Sequence, residues 1–370
     1  MSKTVKIGLI GSGFVADIHA HSIQHHVPNA EVLAVASPTP GKARAFAQER
    51  SIPYAFENYH DLLAIKEIDL VSIVAPNYLH RDIAVAAAKA GKHILCEKPL
   101  CRTMEEADDM VDTCQRQGVL LMYAEELLFA PKYVRAKRLV DEGALGKAFL
   151  VKQWEEHDGP HSPWFWDVNK SGGGVLLDMG CHSIEYARWV FGKPKVKSVS
   201  ATMGTFVHAD KTHGEDHVLC TVEYETGQIA LAENSWAKLG GVDDRAEIYG
   251  TQGHTRADLL RGNALTTYSS VGYGYATEKM SVTTGWTFTM FEESWNYGFP
   301  QEVQHFADCV AKGVEPIETG VDGREVLKII YAAYQSVGEG RKIPFPYEVP
   351  DWARNESPIV LWKPELRQNR

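Results

Sequence analysis

The chain has 370 residues, 44% of them hydrophobic, with 48 acidic against 38 basic side chains and a formal net charge of -10. That is more apolar material than one core usually organises, so two domains are expected, and the acid excess without any basic block argues against a nucleic-acid partner. No apolar run nears the roughly 18 residues of a membrane helix, so no membrane association is expected.

The six cysteines (Cys96, Cys101, Cys114, Cys181, Cys220, Cys309) show no CxxC spacing, and the start MSKTVKIG carries no basic-then-apolar leader. Both features point to a reducing cytoplasm.

From Val5 to about Cys96, the strand-like runs VKIGLI, EVLAVA, DLVSIVA and KHILCEK alternate with segments of helical periodicity: FVADIHAHSIQHH, GKARAFAQER and LHRDIAVAAAKAG, with MEEADDMVDTCQRQG following. Alternating βα units predict an α/β fold, here a doubly wound parallel sheet of the Rossmann type. LLMYA adds a strand and Pro131 to Glu142 a helix. Beyond Lys147 the texture changes to long strands with turn signals: AFLVKQWEE, VKSVSATMGTF, HVLCTVEYETGQIALAENSW and DRAEIYGTQG. These predict a large, mainly antiparallel open sheet in an α+β domain. Helices are expected from about Val175 to Phe191, Gln301 to Lys312 and Gly323 to Gly338. The division is therefore 1–125, 126–346 and a tail, 347–370, whose Trp352 and Trp362 favour packing, on a neighbouring subunit for instance.

The turn Gly11-Ser12-Gly13-Phe14-Val15-Ala16 follows a strand, opens a helix and begins a βαβ unit. In that context the glycines let the backbone approach a pyrophosphate, which sits on the helix N-terminus, and Ala16 takes the close-packing position. A dinucleotide is the expected cofactor, NAD(H) or NADP(H). An acid gripping the ribose 2'-hydroxyl belongs at the end of the second strand, where this chain has Ser37; Glu31 lies at the strand's entry instead. Ser37 with Lys42 and Arg44 leaves room and charge for a 2'-phosphate, so the reading leans to NADP(H).

Two further segments, APNYLHRDIAVAAAKAGKHILCEKPL and SGGGVLLDMGCHSIEYARWVFG, together with the glycine turn, resemble the glucose-fructose oxidoreductase and inositol dehydrogenase family, Gfo/Idh/MocA. The matching residues are Gly11 to Ala16, Pro76-Asn77 with His80, Glu97-Lys98-Pro99, and Asp178 with His182. The likeness runs from about Val5 to Pro346, and the spacing of Ser37 and Lys42 is similar to NADP-using members. It departs at Glu126-Leu127-Leu128-Phe129-Ala130-Pro131 and at Glu185, so contacts there do not carry over. The resemblance implies a cofactor site drawn from Gly11, Ser12, Gly13, Phe14, Val15, Ser37, Lys42, Ala75, Pro76, Asn77, His80, Glu97, Lys98 and Trp166.

Oxidising a carbinol requires a group that takes the hydroxyl proton. Lys98, at the C-terminal edge of the first sheet, is one candidate. Asp178 and His182, four residues apart on an expected helix, form a second acid/base pair in which the carboxylate orients the ring. The division of labour between Lys98 and His182 stays open. WEEHDGPHSPWFWD adds His157 and His161, which with Glu126, Lys98, Asp178 and His182 make up the expected substrate contacts; its spacing matches no zinc pattern, so no metal is expected.

The leading function is an NAD(P)-dependent dehydrogenase acting on a secondary hydroxyl or ketone of a sugar, glycoside or cyclic polyol. A redox-neutral sugar-converting enzyme with tightly held cofactor is the alternative, and a non-catalytic dinucleotide sensor the third, against which Lys98, Asp178 and His182 argue. The expected partners are a carbohydrate or polyol substrate and further copies of the chain, as a homodimer or homotetramer.

Overall fold

The computed structural model describes residues 4–260, 264–270, 284–290 and 293–367. The chain divides into two compact units: one of Met1–Glu126, Gly298–Leu327 and Arg354–Glu356, the other of Leu127–Tyr297, Lys328–Ala353 and Ser357–Arg370.

The first unit is built on six parallel strands: β1 (Val5–Ile10), β2 (Ala30–Ala36), β3 (Tyr54–Phe56), β4 (Leu70–Ile73), β5 (His93–Glu97) and β6 (Leu121–Ala124). Their spatial order is β3-β2-β1-β4-β5-β6, the doubly wound order, with the direction of winding reversing at the β1/β4 pair. Val5, Ile7, Leu9, Leu70, Val71 and Ile73 are fully buried, as a sheet covered on both faces requires. The helices are α1 (Phe14–His26), α2 (Lys42–Glu49), α3 (Tyr59–Leu63), α4 (His80–Lys89) and α5 (Met104–Gln117). Helix α5 shows how local chemistry sets a boundary. Thr103 Oγ1 accepts the Glu106 amide at 3.2 Å, Glu106 accepts the Arg102 amide at 2.9 Å, and Gly118 closes the end at φ 65°. Such a cap contributes about 1 kcal/mol. Neither β3 nor α3, three and five residues long, was anticipated, because neither spans enough sequence to show a period.

The second unit begins with α6 (Pro131–Asp141) and β7 (Ala148–Glu156), followed by α7 (Val168–Ser171), α8 (Val175–Asp178) and α9 (Gly180–Val190). Then come β8 (Val196–Gly204), β9 (His217–Tyr224), β10 (Ile229–Ser235), β11 (Asp243–Gly250), β12 (Gly253–Asp258), a ribbon of β13 (Ala264–Ser269) with β14 (Gly285–Met290), and α10 (Glu293–Tyr297). The sheet runs β12-β11-β7-β10-β9-β8, with β15 (Ile343–Pro344) on the β8 edge; all its pairs are antiparallel except β7 with β10. Val218, Cys220, Val222 and Tyr224 of β9 point inward and are buried, while Leu219 on the other face is exposed. Helix α9 covers the inner face over β7 and β10.

The helix α11 (Phe299–Lys312) belongs to the first unit, where it packs on α1; Asn29 Nδ2 donates to Asp308 Oδ1 at 2.8 Å. The chain then crosses to the second unit within α12 (Gly320–Glu339). The tail folds back onto its own chain: Lys363 Nζ donates to the His213 carbonyl at 2.7 Å, Ser357 Oγ donates to the Gly172 carbonyl, and Leu361 lies against Gly338. All six cysteines are buried and none forms a disulfide. Among the described residues no helix is long and apolar enough to cross a membrane.

The expected helix from Val175 to Phe191 is interrupted at Met179, giving α8 and α9. Its entry is tied down by a buried carboxyl. Glu215 accepts the Leu176 amide at 2.8 Å and the Tyr334 hydroxyl at 2.7 Å, and Tyr334 in turn accepts the Gly174 amide at 3.2 Å. A side chain on Gly174 would stand 2.2 Å from the Glu215 carbonyl oxygen, so only glycine permits this approach. Burial pushes the Glu215 carboxyl up to about 7, against the hydrogen bonds that favour its charged form. An unfolded glutamate titrates near about 4.3, so the folded state holds the extra proton and loses stability as pH rises from there to about 7. The expected loss is on the order of 3 to 4 kcal/mol. In thermal melts from pH 5 to 8, Glu215→Gln should flatten this decline relative to the unsubstituted chain.

Candidate active site

The first βα turn is shaped by two glycines with different reasons. Gly11 has φ 129°, and a side chain there would lie 2.3 Å from the Val74 carbonyl oxygen, so the fold itself demands glycine. Gly13 has an ordinary φ of -93°, and a side chain there would meet nothing within 4 Å. No steric demand from within the protein explains it. The bare position sits at the N-cap of α1, where the first-turn amides and the positive end of the helix dipole face outward, and it fits a pyrophosphate laid against the backbone. Phe14 is exposed and Val15 partly so, while Ala16 is fully buried beneath the turn.

At the end of β2, the Ser37 hydroxyl is 2.9 Å from that of Ser12, which ties the strand end to the glycine turn. Lys42 and Arg44 are both exposed on α2, and Glu31 is exposed at the start of β2. Ala75 and Pro76 line the exit of β4 and are partly exposed, whereas Asn77 is buried. His80 is fully buried; its Nδ1 is 3.1 Å from the Pro99 carbonyl and its Nε2 2.8 Å from that of Ala75. Burial pushes its pKa down, outweighing the carbonyls that pull it up, so a neutral ring donates to one of them at a time. In this structure His80 therefore braces the backbone after Lys98.

Lys98 follows directly on β5, half-buried, and its amide donates to Glu97 Oε2 at 3.2 Å. Glu97 is itself held by His19, whose Nε2 lies 2.8 Å from Glu97 Oε1, while Ser72 Oγ lies 3.0 Å from His19 Nδ1. Glu126 is buried in the same unit.

In the second unit, polar groups gather at the C-terminal ends of the parallel pair β7 and β10. His182, in the first turn of α9, places Nε2 4.0 Å from Glu155 Oε2, and both side chains are buried. Asp178, the last residue of α8, accepts the Trp236 indole N–H at 3.2 Å. The interruption at Met179 puts Asp178 and His182 on successive short helices rather than on one continuous face. Ser183, one residue on, bonds to Gln153 and Asn234, and Tyr133 donates to Asp244 Oδ1 at 2.9 Å. These hydrogen-bonding groups, nearly all buried, bond to one another and form a rigid polar network.

His157 is buried, and its Nδ1 accepts the Gly159 amide at 3.2 Å, which fixes the tautomer that carries the proton on Nε2. His161 is exposed, with its ring 5.2 Å from Phe165. Trp166 packs on His208 at 4.8 Å and Trp236 at 5.4 Å. Under this cluster, Asp216 accepts the amides of Phe206, Val207 and His208 at 2.7 to 2.9 Å; burial opposes its charge, but the three donors hold its pKa below the usual range.

The sequence reading missed His19, Ser72, Gln153, Ser183, Asn234, Asp244 and Trp236, and gave Glu155 no role. A buried histidine on α1 was detectable only as a polar residue on the helix's inner stripe, three positions after Ala16. Ser72 reaches His19 only once β4 stands beside β1, and the others meet only once β7, β10 and β11 pair.

Residues 5–125 match the profile described as oxidoreductase family, NAD-binding Rossmann fold (GFO_IDH_MocA), and residues 133–256 match the GFO/IDH/MocA C-terminal domain. Scyllo-inositol 2-dehydrogenase (NAD(+)) of Bacillus subtilis is 30% identical over 346 residues, covering 93% of this chain and 97% of that protein. Levoglucosan dehydrogenase of Pseudarthrobacter phenanthrenivorans is 33% identical over 227 residues, 55% of each chain. Among solved structures, GenD2 from gentamicin A biosynthesis in complex with NAD superposes with a TM-score of 0.86 at 28% identity, covering 94% of this chain and 98% of that one. The chain belongs to the GFO/IDH/MocA oxidoreductase family.

The two glycines separate fold from cofactor. Gly13→Ala should leave the melting temperature nearly unchanged yet weaken dinucleotide binding at least about tenfold, because the added methyl occupies space that only the ligand needs. Gly11→Ala should destabilise the protein by about 1 to 3 kcal/mol, because it strains the backbone against Val74 whether or not cofactor is present. Calorimetric melts and fluorescence titration with NADH check both.

Proposed function

We propose that this protein is an NAD(P)-dependent dehydrogenase acting on a secondary hydroxyl of a sugar, glycoside or cyclic polyol. The observation that carries the reading is the buried set around His182: an imidazole beside Glu155, next to Ser183, Gln153 and Asn234, in a chain whose other unit has the bare Gly13 turn. Relatives named as inositol and levoglucosan dehydrogenases, and one named from an aminoglycoside pathway and bound to NAD, support a polyhydroxylated ring as substrate.

When bound, nicotinamide dinucleotide supplies the hydride acceptor or donor; Gly11, Ser12, Gly13, Phe14, Val15, Ser37, Ala75, Pro76 and Asn77 are the residues to hold it, with Trp166 as an aromatic neighbour. The protein's task is the proton. Lys98 Nζ and the His182 ring are the groups to take it from the hydroxyl as the carbonyl forms, and a carboxylate 4.0 Å away, that of Glu155, stabilises the positive charge that develops on His182. Asp178, anchored by Trp236, orients the substrate's hydroxyls together with His157 and Asn234. Glu126 and His161 complete the proposed contacts.

A Ser37 hydroxyl where an acid would exclude it leaves a 2'-phosphate tolerated, and exposed Lys42 and Arg44 stand ready to meet it, so the proposal extends to NADP(H). Ser37→Asp should shift the ratio of NADPH to NADH dissociation constants at least about tenfold toward NADH. The outward face of the second sheet, with Trp154, Leu219, Ile229, Leu231 and Tyr249, supports assembly as a homodimer or homotetramer. Six buried cysteines, none in a disulfide, support a reducing compartment.

The decisive assay follows the near-ultraviolet band of the reduced cofactor with inositols, anhydrosugars and glycosides. Stoichiometric appearance of reduced cofactor is expected; product formed without any such change would replace the reading with a redox-neutral one. Lys98→Ala and His182→Ala should each lower kcat by about 10²- to 10⁴-fold with cofactor still bound.

A further inference from the structure

A second polar system lies entirely within the first unit and is not used by the chemistry above. His19 of α1 is fully buried, between the Ser72 hydroxyl on β4 (3.0 Å from Nδ1) and the Glu97 carboxylate at the end of β5 (2.8 Å from Nε2). Phe299 of α11 closes the ring's flank, with the centroids 6.0 Å apart. Serine, histidine and acid in this order make the pattern of a nucleophilic triad, but Ser72 is 1% exposed, and no substrate reaches it. The other oxygen of Glu97 accepts the Lys98 amide at 3.2 Å. One rigid path thus runs from β4 through His19 and Glu97 to the main chain that carries the Lys98 side chain.

We propose that His19 is a positioning residue for the reaction: by gripping one oxygen of Glu97 it fixes the other on the Lys98 amide, and so sets where the Lys98 ammonium stands. The inference rests on the proposed role of Lys98 and deepens it.

The surroundings explain why the grip is needed. Glu302 of α11 is fully buried, and neither carboxyl oxygen has a hydrogen-bond partner among the described residues. Burial, then the charges of Glu97, Glu126 and Glu318, push its pKa well above the usual carboxylate range. The titratable groups that feel the Glu97 charge include Glu302 from α11 and, on the α4 side, His80, which spends its ring nitrogens on main-chain carbonyls. His19 is the partner within hydrogen-bond distance that holds Glu97 in one rotamer. Without it, the Glu97 carboxyl is free to change rotamer, and the Lys98 amide loses its acceptor.

The test uses the full-length enzyme with His19→Ala and His19→Gln, the latter keeping a side-chain N–H donor. His19→Ala should lower kcat about 10- to 100-fold, with the NADH dissociation constant changed less than about threefold and the limb of the pH profile governed by Lys98 displaced; His19→Gln should restore part of both. A readout independent of turnover is the pH dependence of Lys98 acylation, followed by mass spectrometry, which should shift in His19→Ala and return toward the original in His19→Gln. If His19→Ala does not fold, His19→Asn takes its place, since its amide reaches the position of Nδ1 beside Ser72 but not that of Nε2 beside Glu97: an unaltered acylation curve together with unaltered kcat in that variant overturns the proposal. Lys98→Ala keeps the two levels apart. Full activity in that variant defeats the proposed function, whereas an inactive Lys98→Ala with His19 variants of unchanged pH profile and acylation defeats only the role given to His19.

Discussion

The approach of Gly11 to the Val74 carbonyl is the constraint on which the first unit depends. It lets the chain turn straight from β1 into α1, which aims the helix's amides at the open space over Gly13 and lays His19 on the inner side of α1. A residue with a β-carbon at position 11 would push the turn away from β4, whose exit carries Ala75, Pro76 and Asn77. The cofactor cradle and the support of the Lys98 segment are thus two results of one contact between β1 and β4.

The second unit solves a different problem. It brings many hydrogen-bonding groups to one place, and it does so by pairing β7 and β10 in parallel inside an otherwise antiparallel sheet. Parallel register places Glu155 opposite Asn234 and Gln153 opposite Ala232, so side chains from both strands leave the sheet at the same end. Close packing of α9, permitted by Gly180 against Leu176, then lets Ser183 reach both Gln153 and Asn234. Glu215, Tyr334 and Gly174 fix the entry to this region, and the C-terminal tail buttresses it at Gly172.

Most of the first unit was legible because its signals are local. Strand runs such as VKIGLI, the helix FVADIHAHSIQHH and the glycine turn each declare themselves within a few residues, and the structure reproduces β1 and α1 to the residue. Likewise AFLVKQWEE is β7 exactly as written. The failures share one physical cause. The break at Met179 and the bonds of Ser183 depend on strands far away in sequence, and no period in GVLLDMGCHSIEYARW reveals them. Of the candidate site residues, Lys98, Asp178 and His182 came from motif resemblance, whereas Glu155 beside His182 and His19 beside Glu97 emerge only from folding, since their separations along the chain are 27 and 78 residues.

The buried thiols have a practical meaning. Burial raises the pKa of Cys96, Cys101 and Cys309, and pushes Cys114 and Cys220 up to about 12, so little of the reactive thiolate exists at neutral pH and none of these sulfurs is presented to solvent. Oxidants and alkylating reagents then reach these cysteines only when the surrounding core opens. The set is divided between the units, with Cys96, Cys101, Cys114 and Cys309 in one and Cys181 and Cys220 in the other, so the chain carries built-in reporters that distinguish the breathing of one unit from that of the other.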